Sequence, residues 1–352
     1  MNCEQLDWGA LDRLREGFLN GAAAQGPYWQ SPADLANYDL TYAERIGWKW
    51  DAVLRELTQR HWQPRARTTV LDWGCGSGVA GRRALAAFGA DNFDTLHVWD
   101  HSPLAREFAI GRARETFPAL AVSEFADTGQ PIGLLLVSHV LNELAADQRA
   151  GLLALVARAE AVIWVEPGTH ADSRALAAVR DEVRATHAIV APCTHREDCP
   201  LFLAANEHHW CHFFAPPPAG IQNDPDWVRF SHRAGLDLRS QAYSCLVLDR
   251  AHAPSDLSAL NLQLSAHLAA SPTRLLGRIE VFKPYARFLG CDATGLHALE
   301  LSKRTAPALI KRLDKNPPVP LYALVHDGHH VSSMEPLVAD EPPQVDEPHP
   351  HA

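Results

Sequence analysis

Four cysteines stand in polar, turn-rich segments, where loops can direct several sulfurs toward one point. Cys193, Cys199 and Cys211 occur in the stretch APCTHREDCPLFLAANEHHWCHF, and Cys291 follows much later in FLGCDATG, a turn between two strand-like runs. A structural cysteine normally lies inside an apolar run and packs as a small hydrophobic residue. Flanking Pro, Gly, Asp and His residues are instead typical of thiolate-bound metal ions and iron–sulfur clusters. The pattern therefore predicts a metal or cluster site.

Other interpretations of these cysteines stay open: free thiols, disulfides, or zinc in place of a cluster. A mixed zinc site is conceivable because the segment also holds His195, His208, His209 and His212. The total of seven cysteines is odd, which fits reduced thiols better than a disulfide framework. The N-terminus MNCEQLDWGALDRLREGF lacks the features of a signal or transit peptide, and the sequence has no apolar run of membrane-spanning length. We expect a cytoplasmic protein without a membrane partner.

A glycine-rich turn, VLDWGCGSGVAG, follows the first predicted strand. Gly76, Gly78 and Gly81 match the dinucleotide pattern G-x-G-x-x-G. Read from Asp72, the segment also matches D-x-G-x-G-x-G, with Gly74 as its first glycine, the loop of S-adenosylmethionine (SAM) methyltransferases. An acid at this strand end can face the ammonium side of SAM, whereas a phosphate needs the helix N-terminus free of negative charge. The loop therefore predicts SAM as cofactor rather than NAD.

Two further acids follow the next predicted strands. Asp100 ends the second strand in HVWD, where an acid binds the ribose hydroxyls of either cofactor type. Asp127 follows the third strand and is a candidate for the adenine edge, with a plain turn residue as the alternative.

Candidate catalytic residues follow the fourth and fifth strands, at the edge where open α/β sheets bind ligands. Methyl transfer from a sulfonium depends on alignment of the nucleophile and needs little acid–base help. His139 is a candidate general base, although a histidine there can equally cap or pack. Asn142 and Glu166 are candidate substrate-facing groups.

The elements that must position these residues form an α/β chain. Residues 1–66 read as a helical segment, and 67–254 as five strand–helix units of a doubly wound Rossmann-like domain, with a cysteine-rich insert at 191–215. Residues 255–334 read as a small β-rich, basic subdomain, and 335–352 as a disordered acidic tail.

The net charge of −10 hides an uneven distribution. The segment 274–315 carries nine Lys or Arg residues against four Asp or Glu residues, a balance that can follow a phosphate backbone. An ordinary solvated face explains the charge equally well.

Several motifs together resemble one family: LDWGCGSG, VSHVLNEL, WVEPGT, APCTHREDCP, WCHF and GCDATG. They resemble the mitochondrial small-ribosomal-subunit methyltransferase-like proteins and their bacterial relatives, from about residue 38 to residue 325. The resemblance implies a class I SAM-methyltransferase fold and a role in assembly of the ribosomal small subunit or methylation of its rRNA, with no DNA partner. It also implies a [4Fe–4S] cluster, with the ligands carried over to Cys193, Cys199, Cys211 and Cys291. A non-catalytic assembly factor that binds SAM and RNA is the alternative.

Overall fold

The computed structural model of the protein describes residues 1–19, 28–250, 270–313 and 321–337. Three helices precede the first strand: α1 (Trp8–Leu19), α2 (Pro32–Leu40) and α3 (Tyr42–Gln59). Helix α2 begins where Ser31 accepts a hydrogen bond from the Asp34 N–H and Pro32 occupies the first turn. Helix α3 has a strongly apolar side that buries Trp48, Trp50 and Leu57. The predicted helical segment is present.

A mixed eight-stranded sheet follows. Its strands are β1 (Thr68–Trp73), β2 (Phe93–Trp99), β3 (Ala121–Glu124), β4 (Ile132–Ser138), β5 (Ala159–Pro167), β6 (Ala188–Ala191), β7 (Phe213–Ala215) and β8 (Gln241–Asp249). Its helices are α4 (Val79–Phe88), α5 (Pro103–Thr116), α6 (Ala146–Arg158), α7 (His170–Val183) and α8 (Pro225–Ala234). The strand order is β3-β2-β1-β4-β5-β8-β6, with β8 antiparallel to both neighbours. This order, with its reversed late strand, is that of class I methyltransferases, and the predicted fold class is confirmed.

The two faces of the sheet build two separate hydrophobic cores, because successive residues of a strand point to opposite sides. In β4, Leu134 and Leu136 pack on the face that α4 covers, while Leu135 and Val137 pack on the other. All four are fully buried. Such continuous apolar strands are expected where helices cover both faces of a sheet.

Strand β8 holds both ends of the cysteine-rich insert. Its first residues pair with β7, through Gln241 to Tyr243, and its last residues pair with β6, through Val247 to Asp249. The insert therefore leaves the sheet at β6 and returns at β7 along one edge of the same strand.

The C-terminal part is a closed five-stranded barrel with its own core. Its strands are β9 (Ser271–Val281), β10 (Tyr285–Asp292), β11 (Gly295–Ser302), β12 (Leu321–Asp327) and β13 (His330–Pro336), with helix α9 (Pro307–Leu313) after β11. The order around the barrel is β10-β11-β13-β12-β9, and β9 also pairs with β10. The predicted β-rich subdomain is thus present, and the turn at 292–295 is where it was expected.

The end of the barrel differs slightly from the prediction. Glu335 and Pro336, assigned from sequence to the acidic tail, are the last residues of β13, where they pair with β12. Leu337 is buried in the barrel core. The rest of the tail, residues 314–320 and residues 251–269 lie outside the described residues.

A buried charged triad joins the barrel to the sheet domain. Glu56 on α3 accepts hydrogen bonds from Arg60 and from Arg274 on β9. The Arg274 guanidinium also lies 3.9 Å from the ring centroid of Phe213 on β7. Because the carboxylate has a cation on each side, its pKa stays below the usual value despite complete burial. The triad therefore fixes α3, β7 and the barrel against one another.

Candidate functional site

A cavity of about 750 Å³ opens at the carboxyl edge of the sheet, beside the ends of β1, β2 and β4. Ligand pockets of enzymes span roughly 300–1,000 Å³, and open α/β sheets bind ligands at this edge. Six residues selected from the sequence line it: Gly74, Gly76, Asp100, Asp127, His139 and Asn142. The structure thus brings most of the predicted cofactor and catalytic residues to one cavity.

The glycine loop is held against the end of β2. The carbonyl of Trp99 accepts from the Gly74 N–H at 2.8 Å, and Asp100 Oδ2 accepts from the Gly76 N–H at 3.0 Å. Gly74 has a φ of +71°, and a Cβ there would lie 2.6 Å from Val140 Cγ1. Only glycine fits this approach, so the loop backbone itself forms the floor of the cavity.

Asp100 and Asp127 both line the cavity, but their carboxylates differ in availability. Each Asp100 oxygen accepts one backbone N–H, from Gly76 or from Ser102 at 2.9 Å. A carboxylate oxygen can accept two hydrogen bonds, so Asp100 can still accept from a ligand. Both Asp127 oxygens are bound by Arg158, at 2.9 and 2.8 Å. Asp127 is therefore already paired with a cation, and we expect it to be a weaker acceptor for a ligand than Asp100.

Asp72 and Gly78 are outside the cavity lining, contrary to the prediction that they bind the cofactor. Asp72 shares the strand face of Val70, which packs under α4, so its carboxylate accepts from the Gly81 N–H at 2.9 Å. Burial raises the Asp72 pKa to about 7. Gly78 caps α4 with a φ of +77°, and a Cβ there would lie 2.9 Å from Ala109. Both residues shape the loop from behind.

His139 adopts a left-handed backbone, with a φ of +57°, and such strained residues concentrate at functional sites. Its Nε2 lies 2.9 Å from Lys49 Nζ, and its Nδ1 lies 3.2 Å from Ser138 Oγ. Burial and the adjacent Lys49 lower the His139 pKa well below the usual value, and burial lowers the Lys49 pKa to about 8. At neutral pH a charged Lys49 therefore donates to a neutral imidazole. Both ring nitrogens are occupied, so this geometry does not favour His139 as a general base.

Lys49 is a cavity residue that sequence reasoning missed. Its only signal in the sequence is its place between two tryptophans, Trp48 and Trp50, which are both buried on α3.

Glu166, a candidate substrate-facing residue, lies behind the cavity instead. Its Oε1 accepts from the N–H groups of Val140 and Leu141, both at 3.2 Å, and from Trp164 Nε1 at 2.7 Å. Burial raises the Glu166 pKa to about 7. The carboxyl thus positions the turn that follows β4 and is not among the residues that line the cavity.

Glu143, next to Asn142 in that turn, is the acid that does face the cavity. Burial raises its pKa to about 8, and the negative Asp100 and Glu166 act in the same direction. A carboxyl that stays protonated near neutral pH can donate a hydrogen bond. The sequence places Glu143 after the fourth strand, where groups that face substrate are expected.

A group of aromatic side chains from the N-terminal segment forms a wall of the cavity. It consists of Phe18, Tyr28, Trp29, Tyr38 and Tyr42. The ring centroids of Tyr28 and Trp29 are 4.7 Å apart, and those of Trp29 and Tyr38 are 5.0 Å apart. These residues share no motif, so the wall is evident only in the folded arrangement. It provides flat apolar surfaces of the kind on which a planar ligand stacks.

The four predicted cysteines converge at the junction between sheet and barrel. Cys193 lies two residues after β6, and Cys211 lies two residues before β7, so strand β8 brings the two ends together. Cys291 on β10 is the strand-pairing partner of Arg274, a residue of the buried triad, on the adjacent strand β9. All seven cysteines are free in the structure, which therefore holds no disulfide.

The four thiols are close enough to influence one another's charge. Burial and the three other thiols raise the pKa of Cys211 well above its usual value, and burial with Cys193 and Cys199 raises that of Cys291. Burial raises the pKa of Cys199 to about 11, with Cys193 adding to the shift. Four gathered thiolates thus need positive charge to coexist, which a bound metal group supplies.

The distances between potential ligand atoms show which side chains could together bind a single metal ion. Ligand atoms around one tetrahedral zinc lie about 4 Å from one another, given zinc–sulfur bonds of about 2.3 Å. Among the described residues, two groups of three or more potential ligand atoms lie within 4.8 Å of one another: Asp292, His297 and His326, and Glu300, His329 and His330. The four cysteines are not among these two groups.

Part of the basic segment is not available to a nucleic acid. Arg274 is buried in the triad, and Arg287 pairs with Glu300 at 3.0 Å. Lys283, Lys303 and other basic residues of the segment are exposed. The number of basic residues in the sequence therefore overestimates the positive charge that is available to bind phosphates.

No helix in the described part of the chain combines the length and apolar character needed to cross a bilayer.

Solved structures of several methyltransferases are similar to the chain at low identity. They include magnesium protoporphyrin IX methyltransferase of Synechocystis with bound S-adenosylhomocysteine (12% identity, 70% of this chain and 95% of that chain, TM-score 0.38). A SAM-dependent methyltransferase of Aquifex aeolicus also matches (12% identity, 47% of this chain and 93% of that chain, TM-score 0.34). Both TM-scores are below 0.5, so the fold assignment rests on the strand order.

A family model gives the more direct relationship. The model described as mitochondrial small ribosomal subunit Rsm22 matches residues 50–217. That stretch runs from α3 through the glycine loop and the first three cysteines to the end of the insert. Over residues 50–217, slightly less than half of its length, the chain is therefore similar to the Rsm22 family of the mitochondrial small ribosomal subunit.

Proposed function

We propose that this protein is a SAM-dependent methyltransferase that acts on RNA of the ribosomal small subunit during its assembly. The observation that carries the proposal is the cavity itself, where the glycine loop and the open acceptor Asp100 meet at the carboxyl edge of the sheet. The match to the Rsm22 family supplies the link to the small subunit.

The cavity offers a distinct place for each part of SAM. The ribose hydroxyls would donate to Asp100, and the adenine would lie toward Phe125 and Asp127 at the rim. The methionine portion would then extend over the backbone of the glycine loop. The sulfonium would face the turn after β4, which Glu166 holds in place.

The remaining space suits a planar acceptor. The aromatic wall, Lys49 and Glu143 line the same cavity as the glycine loop. An unstacked base could lie against the wall while these groups donate to its edge. Alignment of the acceptor atom would then be the main contribution to catalysis.

The test is transfer of tritium from labelled SAM to small ribosomal subunits. Immature subunits should accept label and mature subunits should accept little, with Tyr38→Ala reducing transfer while SAM binding persists. SAM binding without transfer to either substrate would favour the alternative, a non-catalytic assembly factor. Absence of SAM binding would refute both.

We also propose that Cys193, Cys199, Cys211 and Cys291 hold a [4Fe–4S] cluster. Support comes from the convergence of the four cysteines at the junction of sheet and barrel and from the raised pKa values of Cys199, Cys211 and Cys291, to which the neighbouring thiols contribute. The Arg180 guanidinium supports the loop by donating to the carbonyls of His195 and Glu197, at 3.0 and 2.6 Å.

Protein purified without oxygen should be brown and contain about four irons per chain. Cys291→Ser should lose iron as fully as Cys193→Ser. Cys3→Ser removes a buried thiol at the N-terminus, outside the four proposed ligands, and should retain the iron. A colourless protein with stoichiometric zinc would overturn the cluster, and iron retention in Cys291→Ser would remove that residue from the ligand set.

A further inference from the structure

The barrel has the strand order of the OB-fold. Numbered within the barrel, β9 to β13 are strands 1 to 5, and they close in the order 1-2-3-5-4-1. Strands 3 and 5 pair in parallel, and α9 lies between strands 3 and 4. OB-fold barrels bind oligonucleotides through the face of strands 2 and 3 and the loops next to it. Fold alone does not show function, so the site must be argued from its residues.

The turn 282–285, between the first two barrel strands, presents two aromatic rings at the surface. Phe282 is 40% exposed, although large apolar side chains are normally covered. Its ring centroid lies 4.9 Å from that of Tyr285, and its N–H donates to the Tyr285 carbonyl at 2.8 Å. That hydrogen bond closes the turn, so the exposed ring sits on a constrained support.

An arginine braces the two rings from the strand. The Arg287 guanidinium lies 5.5 Å from the Phe282 centroid and 5.6 Å from that of Tyr285. It donates to the Tyr285 hydroxyl at 3.2 Å and pairs with Glu300. The rings are therefore held in place before any partner arrives, which lowers the entropy lost on binding.

Exposed cations surround the rings. The Lys303 N–H donates to the Pro284 carbonyl at 2.9 Å, which brings the end of β11 against the turn. Lys283, Lys303 and Arg304 are all exposed, and none of them forms an ion pair within the part of the chain that the structure describes. Charge of this kind beside a stacking surface is complementary to a single-stranded nucleic-acid backbone.

We propose that the turn 282–285 binds single-stranded RNA, with an unpaired base stacked on Phe282 and the adjacent phosphates near Lys283, Lys303 and Arg304. An exposed ring can stack only on a base that is not already in a helix, so unpaired RNA is the substrate class. The choice of RNA rests on the proposed function, but the site is separate from the SAM cavity, because none of these residues lines it.

The chain provides a matched control for the ring. Phe202, in the cysteine-rich insert, is 44% exposed and has the Arg174 guanidinium 5.2 Å from its centroid. It resembles Phe282 in exposure and in its arginine neighbour but lies outside the barrel. A general loss of apolar surface would affect both positions equally.

The experiment measures fluorescence anisotropy of labelled oligouridylate of about 12 nucleotides, within the length that OB-folds cover. Loss of one stacked base should weaken binding about 5- to 150-fold in Phe282→Ala. Phe282→Leu, which keeps an apolar side chain, should also weaken binding. Phe202→Ala should bind like wild type, and a duplex of equal length should bind less tightly than the single strand. Lys303→Glu should weaken binding with a shallower dependence on salt.

Equal affinities of wild type and Phe282→Ala would overturn the proposal, as would equal losses in Phe282→Ala and Phe202→Ala. Failure of the wild type to bind the oligonucleotide would overturn it too. SAM titration of the same samples separates this site from the proposed function. A Phe282 effect without SAM binding would refute the methyltransferase, whereas SAM binding without a Phe282 effect would refute only the stacking site.

Discussion

Replacement of Asp100 tests the proposed orientation of SAM most directly. Asp100 is 6% exposed, its oxygens accept the N–H groups of Gly76 and Ser102, and it faces the cavity. In Asp100→Ala the ligand loses a charged acceptor in a largely water-free setting. One hydrogen bond to a charged group contributes about 1.5–3 kcal/mol, so the Kd should rise about 10- to 150-fold.

The matched control is Asp127→Ala. Asp127 also lines the cavity, but its side chain is 51% exposed and both oxygens are bound by Arg158. Exposed ion pairs contribute less than about 1 kcal/mol, so the Kd should change by less than about fivefold. The two variants remove the same charge from one cavity. They differ because Arg158 already binds the Asp127 carboxylate, whereas Asp100 accepts only backbone N–H groups.

Calorimetry with both SAM and S-adenosylhomocysteine is the suitable assay. A lost ribose hydrogen bond weakens both ligands alike, whereas a lost electrostatic attraction affects mainly the sulfonium of SAM. Thermal unfolding of each variant shows whether the glycine loop keeps its structure. The orientation would be refuted if Asp127→Ala lost as much affinity as Asp100→Ala, or if Asp100→Ala bound both ligands like wild type.

Two further predictions concern stability. The folded-state pKa of Glu166, about 7, lies above its unfolded value of about 4.5, so the stability it contributes at low pH is lost as pH rises toward 7. Glu166→Gln keeps an acceptor but cannot titrate, and its melting temperature should fall less over that range than the wild type's; parallel profiles would contradict this. Arg274→Met leaves a buried carboxylate with one of two partners and should cost about 3–5 kcal/mol in denaturant unfolding. Arg287→Met breaks an exposed pair and should cost less than about 1 kcal/mol, and equal losses would show that the triad is not integral to the fold.

The sheet domain was predictable because its signals are local. Strand–helix alternation and the glycine turn each depend on a short stretch of sequence, as does Asp100 at the end of a strand. The direction of a side chain at a strand end depends on which face of the sheet it belongs to, because successive side chains of a strand point to opposite faces. Asp72 shares a face with Val70, so it turns under α4 and away from the ligand.

Features that combine distant segments were not predictable in this way. The aromatic wall needs helices α1 and α2 to fold over the cavity, and Lys49 reaches His139 across 90 positions of the chain. In the basic segment, contacts between distant residues instead removed a feature that the sequence suggested. Its charge suggested one continuous face, yet Arg274 is buried against Glu56, 218 positions earlier in the chain.

Strand β8 also sets the order in which the cysteine site can be completed during synthesis. The ribosome makes β6 long before β8, yet β8 is the sheet partner of β6 among the described strands. In a nascent chain, the segment with Cys193 and Cys199 therefore follows a strand, β6, that cannot pair with β8 until Asp249 has left the exit tunnel. The fourth thiol, Cys291, emerges later still with the second barrel strand. Any group that requires all four thiols can therefore be completed only after the second barrel strand has emerged, later than the whole sheet domain.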